Sequence, residues 1–256
     1  MRHLLALPLA LLLPLAVQAG ETAPQPVPAE LEREIADADV LQPFMASYRV
    51  YRGGKHLGEA TMQAVRQQGP RWRADLVMRG TRGLIGAVGI NAEQSTVFDV
   101  VDGRYRPVAQ ATVNKSMFTR RQTVGTYDWS SREARWTGDV KNEWRAGPRE
   151  LQDGDMTGLL INLAVIRDAA PGRTLRYRYV DDGRSVEHTY VVADELESIK
   201  AGELSYNAMR VERVHEDNEE TIVWVVRNVP TPIRMLQREN GEDTYDLRLI
   251  EYRGVE

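Results

Sequence analysis

Apolar and polar residues alternate with period two along much of this chain. In FMASYRVYR, Phe44, Ala46, Tyr48 and Val50 share one face. In RWRADLVMR, Trp72, Ala74, Leu76 and Met78 do the same, with Arg71, Arg73, Asp75 and Arg79 mainly opposite. Successive side chains of a strand point to opposite sides, so these are strands buried on one face. Turn dipeptides punctuate the pattern at Gly53-Gly54, Gly69-Pro70, Asp102-Gly103, Asp182-Gly183 and Asn240-Gly241, each suited to a tight hairpin. A dozen or more strands joined by short turns, with no strand–helix–strand rhythm, predict an antiparallel sheet. TIVWVVRNV (221–229) is apolar on both faces and is expected at the centre of that sheet, or beneath a covering element.

Two segments break the rhythm. QDGDMTGLLINLAVIRDAAPG reads as a helix over about 154–168, started by Asp153 or Asp155 as cap and stopped by Pro171-Gly172. Met156, Leu159, Leu160, Leu163, Ala164 and Ile166 make a face too wide for a surface helix, so it is expected inside the sheet's concave side. The predicted architecture is therefore mainly β, a strongly curved antiparallel sheet or open half-barrel with one buried central helix. The second segment, TRGLIGAVGINAE (81–93), sets Leu84, Ile85, Val88 and Ile90 between polar-faced strands. Burying each large side chain gains roughly 1.5–3 kcal/mol, which predicts a place in the hollow beside Leu159 and Leu163. As a fixed plug they are core; as a lid they would cover an apolar ligand cavity. The plug ranks ahead.

The ends divide the chain further. MRHLLALPLALLLPLAVQA has a basic start, a short apolar run and small residues at Val17 and Ala19, the features of a cleavable export signal over 1–19. The run is shorter than the roughly 20 residues that span a bilayer. Residues 20–43 read as a proline-rich tether with a short helical lead-in, and 44–256 as a single β-rich domain. The expected location is periplasmic, with no membrane span in the mature chain. With no cysteine in the sequence, neither disulfides nor a lipoprotein anchor is available, and the core alone must hold the fold.

The order and spacing of YRVYRGGKHLGEATM, RWRADLVMRGTRGLIGAVGINAEQSTVFD, DGDMTGLLINLAVIRDAAPGRTLRYRYVDDGRS, LSYNAMRVERV and TIVWVVRNVPTPIRM resemble an exported bacterial family, domain of unknown function 3108. The resemblance spans roughly residues 44–253 and implies a periplasmic β-rich protein, similar to half-barrels that carry lipoproteins in the envelope. It implies no catalytic residues.

The residues themselves name no chemistry. Beyond the leader only His56, His188 and His215 remain, far apart, and no HExxH, GxSxG, SxxK or phosphate loop occurs. Gly83, Gly86 and Gly89 do not make the dinucleotide fingerprint. DGDMTG imitates the start of a calcium loop, but its twelfth position is Ala164 where a glutamate is required. His215-Glu216-Asp217 reads as a solvated turn. We therefore expect no recognisable catalytic, metal or cofactor site; an enzyme remains an alternative only if scattered Asp/Glu pairs assemble in the fold.

Tyr127, Trp129, Trp136 and Trp144 lie in successive short strands, with Tyr127 expected across from Trp136 if SSRE is the loop. Exposed, such rings would stack on a cell-wall glycan; the plainer reading is that cross-strand rings stabilise hairpins by roughly 0.2–1 kcal/mol per pair. Charge is unevenly spread: 18 Lys/Arg against 10 Asp/Glu from Phe44 to Glu150, and 13 against 21 from Leu151 to Glu256. The halves either neutralise each other within the sheet or leave a basic flank (Arg71, Arg73, Arg79, Arg82, Arg120, Arg121) for anionic lipid or a partner. A pI near 5.7 argues against nucleic acid. The leading expectation is an envelope carrier or binding protein for a lipid, acyl chain or lipidated partner. The alternatives are a protein-interaction or scaffold module with a filled core, or a glycan binder.

Overall fold

The computed structural model describes residues 41–80, 91–115, 119–215 and 218–255. The expected leader, almost all of the tether, and the segment carrying Leu84, Ile85, Val88 and Ile90 lie outside the described residues. The chain order is β1 (Phe44–Arg52), β2 (Lys55–Arg66), β3 (Arg71–Gly80), β4 (Asn91–Val101), β5 (Arg104–Lys115), β6 (Arg120–Asp128) and β7 (Glu133–Gly138), then a short helix α1 (Glu143–Ala146). There follow β8 (Arg149–Glu150), β9 (Asp155–Met156), helix α2 (Gly158–Asp168), β10 (Thr174–Asp181), β11 (Arg184–Ala201), β12 (Leu204–Arg213), β13 (Glu219–Val225), β14 (Arg234–Glu239) and β15 (Glu242–Gly254).

All fifteen strands form one sheet, ordered β8-β7-β6-β5-β4-β3-β2-β1-β15-β14-β13-β12-β11-β10-β9. Every pairing is antiparallel except the short β9–β10 contact. All five expected turn dipeptides join neighbouring strands; Asp102, Asp182 and Asn240 and their glycines all have positive φ. β8 and β9 are the two edges of the sheet, yet only Leu151–Gly154 separates them. The five Cα-to-Cα steps from Glu150 to Asp155 reach at most about 18 Å, so the sheet must bend until its edges face each other. No strand pairing joins β8 to β9, and the sheet remains open as a ladder.

The concave face holds the main core. Phe44, Ala46, Tyr48 and Val50 are buried there as the alternation predicts, with Met62, Trp72, Phe98, Val211, Val223 and Leu249. Helix α2 lies inside and is buried nearly all round through Leu159, Leu160, Ile161, Leu163, Ala164 and Val165. Its N-cap is Thr157, whose hydroxyl accepts from the Leu160 amide at 3.4 Å and lies 3.0 Å from the Thr96 hydroxyl of β4. This corrects the expected aspartate cap. Asp155 is drawn into β9, where its carboxylate is fully buried 2.6 Å from Arg178, and Asp153 stays exposed.

The two-faced apolar strand β13 sits between β12 and β14. Val223 and Val225 enter the main core, while Ile222 and Trp224 form a second cluster with Ala208 and Leu236 on the convex side. An irregularity between Val192 and Leu196 lets the β11–β12 hairpin bring Glu197 and Ile199 over that cluster. Glu197 accepts from the Trp224 indole N–H at 2.7 Å, and Arg234 stacks on its ring.

Candidate functional site

A cleft of about 460 Å³ opens on the concave side, between β3–β5 on one wall and β13–β15 on the other. Ligand clefts commonly measure about 300–1,000 Å³ and are mostly apolar with a few placed polar groups. Here Leu76, Met78, Val223, Met235, Tyr245 and Leu247 supply the apolar surface, and Asn162 is the contribution of helix α2. Lys115 and Arg121 stand at one side. Lys115 is paired with Glu93 at 3.2 Å, whereas Arg121 has no ion-pair partner among the described residues.

Beside this cleft is a second, polar chamber of about 260 Å³, which shares Gln94, Asn114 and Arg121 with the first. Its origin is a bulge. Phe98 pairs with Pro107 but Val97 pairs with Ala109, so Val108 is one extra residue on β5. The extra residue flips every later side chain to the other face. Before it Tyr105 points into the core; after it Gln110, Thr112 and Asn114 point inward in its place. Their register partners extend the row: Gln94, Thr112 and Thr123 lie side by side, as do Ala92, Asn114 and Arg121. Gly125, opposite Gln110, must remain glycine, because a Cβ there would stand 2.6 Å from Trp136 Nε1 and 2.8 Å from Gln110 Oε1. Gln110 is buried, and its Oε1 has no hydrogen-bond partner among the described residues.

The opposite wall comes from β10. Asp181 accepts from the backbone N–H groups of Asp182, at 2.7 Å, and of Gly158 at the start of α2. Burial outweighs those bonds and raises its pKa to about 7. Behind it the Tyr179 ring stacks on His188 at 4.7 Å. Burial, aided by Arg213, His215 and Arg184, lowers the pKa of His188 to about 4, so its ring is neutral at pH 7.

The expected site residues scatter. Leu159 and Leu163 are core and do not line the cleft. Tyr127 and Trp136 are buried, Trp129 is half-buried and donates its indole N–H to Pro107 O at 2.7 Å, and Trp144 on α1 is exposed between Arg145 and Arg149. The four rings form no exposed row. The expected register is also corrected: Tyr127 pairs with Ala134 and Trp136 with Gly125. The loop is 129–132, because Asp128 accepts from the Ser130 and Ser131 amides and Arg132 takes a positive φ. The rings still meet, diagonally and edge to face at 5.7 Å. In the basic flank, Arg71 and Arg73 pair with Asp99 and Asp75 of their own half, while Arg145–Asp182 joins the halves. Arg82, Glu216 and Asp217 lie outside the described residues.

Sequence reading missed Gln94, Gln110, Thr112, Asn114, Asn162 and Asp181. Asn162 alone carried a signal, as the one amide within an otherwise apolar helix. The inward set on β5 was hidden by the bulge, which shifts parity without any residue that marks it.

A helix-filled open half-barrel with a two-part hollow is the class that this fold and cleft define. Residues 47–248 match the model of a family described as protein of unknown function, DUF3108, and the chain belongs to that family. Among solved structures it is similar to a β-barrel-like protein of domain of unknown function DUF1849 from Brucella abortus, with 12% identity and a TM-score of 0.52 over 84% of this chain and 99% of that one. MucB is a looser match, at 11% identity and a TM-score of 0.35 over 89% and 58%. MucB in complex with MucA(peri) matches at 12% identity and a TM-score of 0.19 over 88% and 97%. At such identities the likeness to the Brucella protein speaks for the fold alone. No curated protein matches the chain. No helix among the described residues is long and apolar enough to cross a membrane.

Proposed function

We propose that this domain is an exported envelope protein that carries or holds an acyl chain, of a lipid or of a lipidated partner, in the cleft on the concave side of its sheet. The observation that carries the reading is the cleft itself. Its apolar side chains are grouped on facing walls, its two cations stand together at one side, and Asn162, Thr221 and Gln237 add uncharged polar groups elsewhere. A chain threaded there would cover Leu76, Met78, Val223 and Leu247, gaining roughly 25 cal/mol for each Å² of apolar surface removed from water. The head would emerge toward Lys115 and Arg121. Export is supported by the leader-like pattern of residues 1–19, cleaved after Ala19. N-terminal sequencing of the exported protein should begin at Gly20.

Native mass spectrometry of the exported protein with extracted lipid tests the function. A lipid adduct that is lost in Met78→Trp, which fills the cleft, is the expected result. A folded wild-type protein that retains no lipid would reject the carrier and favour an interaction module with a filled core.

A further inference from the structure

We propose that the polar chamber seats the head of the ligand, and that this head is a neutral polyhydroxylated group such as a sugar. The inference rests on the reading of the apolar cleft as an acyl-chain site, and extends it. Inward positions of a curved sheet normally feed the core, as Phe44, Tyr48 and Met62 do here. On β4–β6 the same concave face instead presents Gln94, Gln110, Thr112, Asn114 and Thr123. Within that row Gln110 donates from Nε2 to the Thr112 hydroxyl at 2.9 Å, and its Oε1 is enclosed beside the Trp136 indole. The chamber thus offers a ligand the amide and hydroxyl groups of Gln94, Thr112, Asn114 and Thr123, on a face that elsewhere feeds the core.

The charges select among heads. Arg121 and Lys141 line the chamber together with three carboxylates, Asp139, Asp181 and Asp182. Asp182 is committed to Arg145 at 2.8 Å, but Asp139, and Asp181 in its ionised fraction, would still face a phosphate as like charges. A hydroxyl both donates and accepts, so a polyol satisfies carboxylates, amide oxygens, amide N–H groups and cations in one site. Asp181, with its pKa raised to about 7, would be partly protonated at neutral pH and able to donate as well as accept. Because Gln94, Asn114 and Arg121 border both spaces, a single molecule can lay its chain in one and its head in the other.

The test is a binding titration, by native mass spectrometry, with three amphiphiles of equal chain length held below their micelle concentrations: dodecyl maltoside, lauric acid and dodecyl phosphate. Dodecyl maltoside should bind at least about tenfold more tightly than either of the others, a difference of roughly 1.4 kcal/mol. Gln94→Leu with Thr112→Val should erase that preference. Asp181→Asn should weaken the maltoside selectively. Since Asp181 also holds the start of α2, the Gln94/Thr112 pair decides if the Asp181 variant fails to fold. Equal binding of all three, a preference for the phosphate, or a preference that survives Gln94→Leu with Thr112→Val overturns the head-group inference and leaves the acyl carrier standing. No binding of any of the three to folded protein overturns both.

Discussion

Tyr48 shows how much of this core depends on single polar contacts. Its side chain is fully buried on β1, and its hydroxyl bonds with Thr231 Oγ1 and donates to Pro232 O at 2.8 Å, tying the loop after β13 to the first strand. Tyr48→Phe keeps the ring but leaves Pro232 O and the Thr231 hydroxyl short of a partner in a dry site. The expected loss is about 1–3 kcal/mol, measured by denaturant unfolding with an unchanged slope. A variant as stable as wild type would mean that water reaches this site. At the same scale, the alternation that placed Phe44, Tyr48, Trp72 and Met78 inward was legible because each side chain's facing depends only on its strand's period. The contact of Tyr127 with Trp136 was legible only in part: the pairing of rings was foreseen, but the register depended on the Asp128 turn.

At the scale of elements, helix α2 and the β10–β11 hairpin lend themselves to direct tests. Leu163→Asp would set an unpaired carboxylate in the main apolar core, at a cost of several kcal/mol. It is expected to unfold the domain, and a melting point within a degree or two of wild type would place the helix outside the core. On β10–β11 two shifted groups oppose each other. The pKa of Asp181 rises from 3.8 to about 7 on folding, so between those values the folded chain binds more protons and stability falls as pH rises. That of His188 drops from 6.5 to about 4, so the unfolded chain binds more protons there and stability falls as pH drops. In wild type the two trends offset. Asp181→Asn should therefore lose stability more steeply than wild type on acidification from pH 7 to 4, and His188→Gln less steeply or with the reverse slope. Urea melts across that window measure both; three parallel curves would refute the assignment.

For the whole molecule, the seam between the two sheet edges decides the shape. In place of backbone ladders, side chains close it. Tyr127 donates to Val180 O at 2.9 Å, Arg145 pairs with Asp182, and Arg149 donates to Gly183 O at 2.9 Å. Leu151, Trp136 and Val180 fill the gap as a separate small cluster. Gly183 has a φ of +68°, and a Cβ there would lie 2.2 Å from Arg145 O, so α1 can lie this close only to glycine. Contacts of this kind open more readily than a continuous ladder such as β1 with β15. Replacing Arg145 and Arg149 together by alanine should speed amide exchange around Trp136 and Val180 by about tenfold, roughly 1.4 kcal/mol of local opening, and leave β1 and β15 unchanged. Uniform acceleration across the sheet would instead indicate loss of global stability.

The sequence by itself determined the strands, their hairpin turns, the buried helix and the curved antiparallel class, but not whether the sheet closes. These follow from local period and turn chemistry, which neighbours in the chain carry between them. The tertiary structure decided what depends on residues far apart in sequence. It paired β1 with β15, brought β8 and β9 to opposite edges of one sheet that nearly meet, and covered the convex side of Trp224 with Glu197 and Ile199. It also decided the polar chamber, because the single extra residue at Val108 changes which side of β5 faces inward. A bulge is a mismatch between two strands, and it has no signature in either strand alone.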